Sequence, residues 1–224
     1  KYQSILRRID PLEYGGRVTK IVGLTIESNG PTTRIGDVCK VYSYKGSEFI
    51  EAEVVGFKDQ RVLLMPFGKV EGIGLGSRVI STNTPFQVPV GLKYIGRVLD
   101  ALGNAIDNKG PIEPDHFYPV ENEPPAPLSR SRIKEVLPLG IKAIDGLLTV
   151  GRGQRMGIFA GSGVGKSTLL GMIARNAVAD INVITLVGER GREVKDFIEK
   201  DLGPEGLKKS ILIVATSDQP AMMR

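Results

Sequence analysis

A glycine-rich segment in the second half of the chain has the residue types and spacing of a polyphosphate-binding loop. The backbone amides of such a loop, together with the N-terminus of the helix behind it, form a site for a polyphosphate. Lys166 would reach the β- and γ-phosphates, and the Ser167 hydroxyl would be a Mg²⁺ ligand. The residues therefore predict a site for a nucleoside triphosphate, ATP, with Mg²⁺. In order, they are Gly161, Ser162, Gly163, Val164, Gly165, Lys166, Ser167 and Thr168.

The residues on either side of this loop predict the elements that hold it. The apolar run 156–159 predicts a strand before the loop. Leu169, Leu170, Ile173 and Ala177 lie on one side of a predicted helix after it. The full pattern has glycine at position 160, where this chain has Ala160. Alanine fits there if its φ is negative, so the sequence indicates a variant loop.

Glu189 is the second candidate for chemistry. It lies two residues beyond the apolar, β-branched run 181–187, which predicts a fully buried strand. Ligands of parallel sheets bind at the carboxyl ends of the strands, so Glu189 would share an edge with the phosphate loop. A carboxylate there could orient a water molecule for ATP hydrolysis, and Arg190 could contact phosphate. The alternative is a solvated loop acid beside a surface arginine.

The remaining elements of this half are read from periodicity and caps. Residues 139–148 predict a short helix, and residues 193–202 predict a helix that ends at Gly203. Residues 211–216 predict a second buried strand, after which Ser217 and Asp218 would cap a helix from Pro220. Strands that alternate with helices predict a parallel sheet.

The first part of the chain has a period of two instead. Between residues 16 and 82, short apolar–polar alternations are separated by turn residues, which predicts a small closed β-barrel. One alternation is expected over 22–26 and another over 50–54. Small barrels often bind single-stranded nucleic acid through exposed aromatics over a basic groove. Here the candidate aromatics are interleaved with glutamates, which favours a structural or assembly role: Tyr42, Tyr44, Phe49 and Phe57 among Glu48, Glu51 and Glu53.

The composition excludes several classes of protein. The formal net charge of +5 is spread over both halves, unlike the concentrated basic face of a nucleic-acid binder. Cys39 is the only cysteine, so an intrachain disulfide is impossible and an inert core residue is expected. His116 has no second metal-ligating residue beside it and is expected to be non-catalytic. No apolar run approaches the length of a membrane span.

Two segments leave alternatives open. Tyr2, Ile5, Leu6 and Ile9 form a stripe at helical spacing, which indicates either a terminal helix packed on its own domain or a docking segment for a partner or membrane surface. Prolines recur between residues 111 and 127 in an acidic context, which is typical of an exposed linker. Pro85 and Pro89 are expected to interrupt any strand between residues 83 and 98.

Long stretches of the chain resemble the flagellar type III export ATPases, relatives of the catalytic subunits of rotary ATPases. The resemblance runs from about Gly16 to Arg224 and includes GQRMGIFAGSGVGKSTLLGMIARNA and VGERGREVKDFIEKDLGPEGLKKSILIVATSDQPAMMR. It implies an N-terminal β-barrel over residues 1–84. It also implies an α/β RecA-like P-loop ATPase core with a mostly parallel sheet over residues 85–224, in which the proline-rich stretch packs on the core.

The resemblance also implies roles for the candidate residues. Lys166 and Ser167 match the family's phosphate and Mg²⁺ ligands, Glu189 its catalytic carboxylate and Arg190 its phosphate-contacting arginine. The family continues with an Mg²⁺-organising aspartate, an arginine finger and a helical C-terminal domain, which this sequence lacks. Asp218 matches a different family segment. The chain is therefore expected to be the N-terminal part of a longer protein, and inactive by itself.

The implied biology follows from the same resemblance. The intact protein would be a cytoplasmic homohexamer at the inner membrane of the flagellar base. There it would meet export stator and gate proteins, export substrates and chaperones, without nucleic acid. Two close alternatives remain open: a virulence-type export ATPase and a catalytic subunit of a rotary ATP synthase. An RNA-translocating terminator helicase is the alternative of a different class, and a non-enzymatic scaffold is a third class.

Overall fold

The computed structural model describes residues 15–44, 46, 48–161 and 163–224. The N-terminal apolar stripe and Ser162 of the phosphate loop therefore lie outside the described residues. The chain divides into two compact units. The first contains the described residues up to Val88 with 118–120 and 220–223, and the second contains 89–117, 121–219 and Arg224. The expected domain division between residues 84 and 85 stays a prediction.

The first unit is built on a closed six-stranded barrel, as the alternating pattern predicts. Its strands are β1 (Gly15–Val22), β2 (Thr25–Ser28), β3 (Asp37–Tyr42), β4 (Phe49–Lys58), β5 (Arg61–Pro66) and β6 (Arg78–Pro85). The order around the barrel is β1-β2-β5-β4-β3-β6. All of its pairings are antiparallel, and β1 pairs with both β2 and β6, which closes the barrel without a free edge.

The barrel interior is filled by the inward positions of these strands. Ile26, Val54 and Leu64 are completely buried and belong to one apolar cluster. Cys39 is in the same cluster, and burial raises the pKa of its thiol to about 11. The structure thus agrees with the expectation of an unreactive core cysteine.

The alternation predicted over residues 22–26 is wrong, because a hairpin turn interrupts it. Gly23 has φ of +58°, and Val22 pairs with Thr25 across the turn. Leu24 is consequently exposed at the tip instead of continuing the strand. A left-handed residue reverses the chain within two positions, and a period-two count does not register such a reversal.

Two short strands follow the barrel where none is predicted. β7 (Gln87–Val90) pairs with β9 (His116–Pro119) in a two-stranded sheet. β6 extends to Pro85, and Pro89 lies inside β7, so these prolines do not prevent strand formation. A two-stranded sheet leaves one side of each strand unpaired, and a proline tolerates that side. Residues 111–127 are exposed apart from the half-buried Ile112, Pro114 and Pro119, which agrees better with the linker that the composition predicts than with the packing that the resemblance implies.

The second unit contains a parallel sheet of three strands, β8 (Val98–Asp100), β10 (Asn182–Val187) and β11 (Ser210–Ala215). Their order is β10-β11-β8, which confirms the predicted parallel arrangement. The apolar cluster of this unit joins the sheet to helical residues, with Leu212 and Leu202 completely buried. The α-helices are α1 (Lys142–Leu147), α2 (Lys166–Asn176), α3 (Gly191–Asp196) and α4 (Gly203–Lys208), with a π-helix at Phe197–Leu202 and 3₁₀ turns at Leu92–Tyr94 and Pro127–Ser129.

The predicted strand before the phosphate loop is not formed. Residues 154–160 belong to none of the sheets, and Phe159 is 98% exposed. A short strand is stabilised by its ladder to a neighbour, and this run pairs with neither of the two outer strands, β10 and β8. The apolar run therefore has the composition of a strand without a partner among the described residues.

β10 is not buried on both faces, which the continuous apolar run had predicted. Leu186 faces the core, whereas Val183 and Val187 are 64% and 52% exposed. The buried helical residues of this unit belong to the same cluster as Leu186, so they lie on that side of the strand. Hydrophobicity alone does not indicate which face a helix covers.

The helix predictions of the second unit hold in part. The short helix expected at 139–148 is present as α1. The helix expected over 193–202 is present as α3 and the π-helix, but α4 begins at Gly203, where the helical segment was expected to stop. The helix expected from Pro220 is a single turn, closed by Met223 N donating to Pro220 O. Over the described ranges, the helices are all too short or too polar to cross a bilayer.

Candidate functional site

The phosphate loop is an open turn that leads directly into α2. Gly163 and Gly165 have φ of +75° and +98°, a region that favours glycine. A Cβ atom built on either of them, or on Gly161, would meet nothing within 4 Å, so there is open space beside these glycines. Such a loop lets a ligand approach the backbone closely. Three glycines at alternate positions therefore fit a polyphosphate.

The N-terminus of α2 is available to an anion. The helix begins at Lys166 and its N-cap is Gly165, which has no side chain to cap the first amides. Leu169 N donates to Gly165 O at 2.9 Å, which is the first hydrogen bond of the helix. The earlier amides have no side-chain cap among the described residues, and their partial positive charge favours phosphate.

The opposite end of α2 is fixed to the sheet by polar contacts. Asn182 at the start of β10 donates from Nδ2 to Ala174 O at 2.7 Å. Lys209 donates from Nζ to Arg175 O at 3.0 Å, which satisfies a carbonyl at the helix C-terminus. Gly171, in the middle of α2, allows this helix to pack closely on the π-helix, because a Cβ atom at Gly171 would lie 2.5 Å from Asp201 O. The sheet thereby sets where α2 points its N-terminus.

Glu189 lies at the carboxyl end of β10, where the sequence places it. Gly188, with φ of +75°, turns the chain out of the strand and donates to Ala215 O at 2.7 Å. The Glu189 carbonyl accepts from Ser217 N at 3.0 Å. The backbone that carries the carboxylate is thus hydrogen-bonded to the end of β11, and the side chain is left to reach toward α2.

Lys166 and Glu189 meet at the mouth of the loop. Lys166 Nζ and Glu189 Oε1 are 3.6 Å apart, and the two side chains are 44% and 33% exposed. An ion pair this open to water contributes at most about 1 kcal/mol to stability. The ion pair matters for the position of its two groups: the predicted phosphate-binding cation and the predicted water-orienting carboxylate lie side by side.

Arg190 points elsewhere in this structure. It is the N-cap residue of α3, and its Nη1 lies 3.9 Å from Glu193 Oε1, one helical turn ahead. Its side chain is 67% exposed. The structure therefore brings Lys166 and Glu189 together but not Arg190, and a phosphate contact by Arg190 stays a prediction.

The remaining loop residues are all exposed, so they are accessible to a ligand: Gly161, Gly163, Val164, Gly165, Ser167 and Thr168. The described ranges contain no cluster of three metal-ligating side chains. Mg²⁺ bound with phosphate typically takes one or two protein ligands and several waters, so a single hydroxyl such as Ser167 suits it. Asp218 lies in a turn after β11, closed by Gln219 N donating to Thr216 O at 3.0 Å. The Ser167 assignment stays a prediction.

Sequence reasoning missed the contacts that position these residues. β8, the third strand of the sheet, is stabilised by a bidentate pair in which Arg97 Nε and Nη2 lie 2.7 and 2.8 Å from the Asp107 carboxylate. The sequence does offer a signal for this hairpin, because Asp100 accepts from the amides of Leu102 and Asn104 as aspartates in turns do. The amide of Ser217 that holds Glu189 has no sequence signature.

A closed barrel, followed by a phosphate loop, a helix and a parallel sheet with a carboxylate at its edge, defines a P-loop nucleotide-binding protein. The family models agree with this class. Residues 18–83 match the beta-barrel domain of the ATP synthase alpha/beta family, and residues 140–224 match its nucleotide-binding domain. The chain belongs to the ATP synthase alpha/beta family.

Individual relatives refine this placement. The chain is 53% identical to the flagellum-specific ATP synthase of Bacillus subtilis, over all of this chain and 52% of that protein. It is 46% identical to the type 3 secretion system ATPase of Xanthomonas euvesicatoria, over 93% and 47%. The chain thus spans about half the length of the curated relatives it matches.

A solved structure agrees as well. The structure of the assembled ATPase EscN in complex with its central stalk EscO, from the type III secretion system of enteropathogenic E. coli, superposes with a TM-score of 0.84 at 42% identity. The match covers 93% of this chain and 50% of that one. The likeness therefore includes fold and sequence together.

Proposed function

We propose that this chain provides the nucleotide-binding part of an ATPase that drives protein export by a flagellar type III apparatus. The observation that carries the proposal is the approach of Lys166 Nζ to within 3.6 Å of Glu189 Oε1 beside an open glycine loop. The loop suits a polyphosphate, and the carboxylate is the kind of group that hydrolysis requires at the terminal phosphate.

The residues of the chain divide the work as follows. The loop amides and the N-terminus of α2 hold the phosphates, and Lys166 adds a charge-assisted contact. Ser167 would hold Mg²⁺, which supplies neutralisation of the phosphate charge. Glu189 orients the attacking water by accepting its hydrogen bond and takes up the proton as the water attacks. Arg190 must turn away from Glu193 to contact phosphate.

The export role is supported by the relatives. Flagellum-specific ATP synthases and type 3 secretion system ATPases match nearly the whole chain at 41–53% identity, and the value of 53% belongs to a flagellar member. The EscN structures are described as assembled, one of them with a central stalk. We propose that the whole protein forms a homohexamer at the inner membrane. Its partners would be flagellar stator and gate proteins, export substrates and chaperones.

The proposal is tested with two substitutions in the full-length protein. Lys166→Ala removes the cradle's side-chain cation, so both nucleotide affinity and hydrolysis should be lost. Glu189→Gln keeps the size of the side chain but removes the proton acceptor, so nucleotide should stay bound while phosphate release falls by at least about 100-fold. Calorimetric titration with Mg-ATP and a phosphate-release assay give the two readings.

Glu205→Gln is the matched control. Glu205 is an exposed glutamate of α4 that pairs with Lys208 at 2.7 Å, and its loss should leave both readings unchanged. Normal turnover by Glu189→Gln would remove Glu189 from the mechanism. An unchanged affinity of Lys166→Ala for Mg-ATP would show that the phosphate loop does not bind the nucleotide.

A further inference from the structure

The first half of α2, which begins with Lys166 and Ser167, is held in place mainly by the second half. Residues 166–170 are exposed apart from the half-buried Leu169, whereas Gly171 and Ala174 are buried. The water-exposed pair between Lys166 and Glu189 restrains the first half only weakly. A helix of this length moves nearly as a rigid element. The position of the first amides is therefore set by what α2 contacts from Gly171 onward.

Gly171 is the point at which α2 touches the π-helix most closely. A Cβ atom at this position would lie 2.5 Å from Asp201 O and 2.6 Å from Asp201 C. These are backbone atoms within a helical segment, so they cannot move aside as a flexible side chain would. The contact fixes the distance between the two helices. A single point of contact still leaves α2 free to tilt about it.

Two side chains from the sheet restrain that tilt at the C-terminus of α2. Asn182 donates from Nδ2 to Ala174 O at 2.7 Å, and Lys209 donates from Nζ to Arg175 O at 3.0 Å and to Ala177 O at 3.4 Å. Asn182 N also donates to Lys209 O at 2.9 Å, so the two donors are joined to each other at the start of the parallel ladder.

Lys209 is the stronger of these two restraints. Its side chain is half-buried, and within the described ranges it forms no ion pair with a carboxylate. Its ammonium group lies at the negative end of the helix dipole, where a cation is stabilising. A hydrogen bond from a charged donor is also stronger than one from the neutral amide of Asn182.

We propose that Lys209 is a positioning residue for nucleotide binding. By holding the last carbonyls of α2, it prevents the helix from tilting about Gly171 and so keeps Lys166 and the loop amides in place for phosphate. Gly171 lies near the middle of α2, so a displacement of the C-terminus moves the N-terminus by a similar amount in the opposite direction. The inference rests on the proposed function of the phosphate loop, although Lys209 lies at the other end of the helix.

The test compares Lys209→Met with the parent in the full-length protein. Methionine keeps much of the side-chain length but removes the charge and the donor. The loop holds phosphate in the ground state and the transition state alike, so KM for Mg-ATP should rise about fivefold and kcat should change less than about twofold. The Kd for Mg-ADP, measured by calorimetric titration, should rise by the same factor. A merely structural role would lower the folded fraction, which reduces kcat and the number of binding sites but leaves KM and Kd unchanged.

Three further variants sharpen the comparison. Lys209→Arg keeps a cation that can donate to the same carbonyls, so it should restore most of the affinity. Lys208→Met is the matched control, because it removes the same charge from the neighbouring residue, which pairs with Glu205 at 2.7 Å on the exposed surface. Its KM and Kd should equal those of the parent. Asn182→Ala removes the other donor and should raise Kd less than Lys209→Met does, which gives a second reading of the same restraint.

The proposal is overturned if Lys209→Met binds Mg-ADP as tightly as the parent, or if Lys208→Met weakens binding equally, because charge alone would then explain the loss. It is overturned equally if Lys209→Met lowers kcat with KM unchanged. Lys166→Ala, measured alongside, separates this inference from the proposed function. If Lys166→Ala has lost Mg-ADP binding while Lys209→Met binds normally, the positioning role fails and the phosphate loop stands. Normal binding by Lys166→Ala would overturn both.

Discussion

The barrel and the parallel sheet treat their apolar residues differently. In the barrel, the inward positions of all six strands are buried in one cluster, and the ladder closes on itself. In the sheet, β10 buries Leu186 but exposes Val183 and Val187, and the apolar run before the phosphate loop joins no ladder. A closed ladder satisfies its own edges, whereas an open sheet needs further surfaces to cover its strands. The candidate phosphate loop lies in the less covered of the two.

The largest effect is expected when one completely buried leucine is truncated in each region. Leu64→Ala in the barrel and Leu212→Ala in the sheet should each lower the free energy of unfolding by about 2–5 kcal/mol, through lost burial and a cavity. Only Leu212→Ala should also weaken the nucleotide binding that depends on Lys166, since Leu212 shares a cluster with Ala174 of α2. Urea unfolding and calorimetric titration give the two quantities.

An equal loss of nucleotide affinity in Leu64→Ala would contradict the contrast, because the barrel core would then support the phosphate loop as strongly as the sheet does.

A smaller effect separates a covered valine from an uncovered one. Val→Thr changes shape little but introduces a hydroxyl. At the completely buried Val54 it should cost about 1–3 kcal/mol of unfolding free energy, because the hydroxyl loses water. At Val183, which is 64% exposed, the change should stay within about 0.5 kcal/mol. A loss above 1 kcal/mol at Val183 would show that this face of β10 is covered in solution.

The smallest effect is confined to acid solution and concerns the hairpin that supports β8. The hydrogen bonds from Arg97 hold the pKa of Asp107 well below its usual range, against the opposing effect of burial. A lowered folded-state pKa stabilises the protein above the unfolded-state pKa of about 3.9, and this contribution disappears as the pH falls toward the folded-state value.

The corresponding experiment compares the parent chain with Asp107→Asn by urea unfolding between pH 7 and pH 2.5. The parent should be more stable by a constant margin above about pH 5, and the margin should shrink below about pH 4. Asp115→Asn is the control for general acid effects, since Asp115 is exposed and bonds mainly to the amide of Leu92. A margin that grows on acidification would mean that Arg97 does not hold the carboxylate in its charged form.

Features that depend on local chemistry could be predicted from the sequence. The turn at Asp59 and Gln60, both with positive φ, the barrel alternation at Ala52 and Val54, and the place of Glu189 at the end of β10 are all readable from neighbouring residues. The phosphate loop is equally local, since its glycines and Lys166 are contiguous.

Features that depend on distant partners could not be predicted. Whether residues 156–159 form a strand is decided by whether they pair with a neighbouring strand, and whether Val183 is buried is decided by the side on which the helices pack. The direction of the Arg190 side chain depends on Glu193, an equally available acid one turn ahead. Periodicity and composition contain none of this information.

The burial of Cys39 has a practical consequence. With its thiol pKa raised to about 11, only about one molecule in several thousand carries the reactive thiolate at pH 7.5, and that sulfur lies inside the barrel. A maleimide dye added to the native chain should therefore remain unattached. A cysteine introduced at the exposed Val164 would be the one position to take the dye, and its fluorescence would report directly on ligand arrival at the phosphate loop.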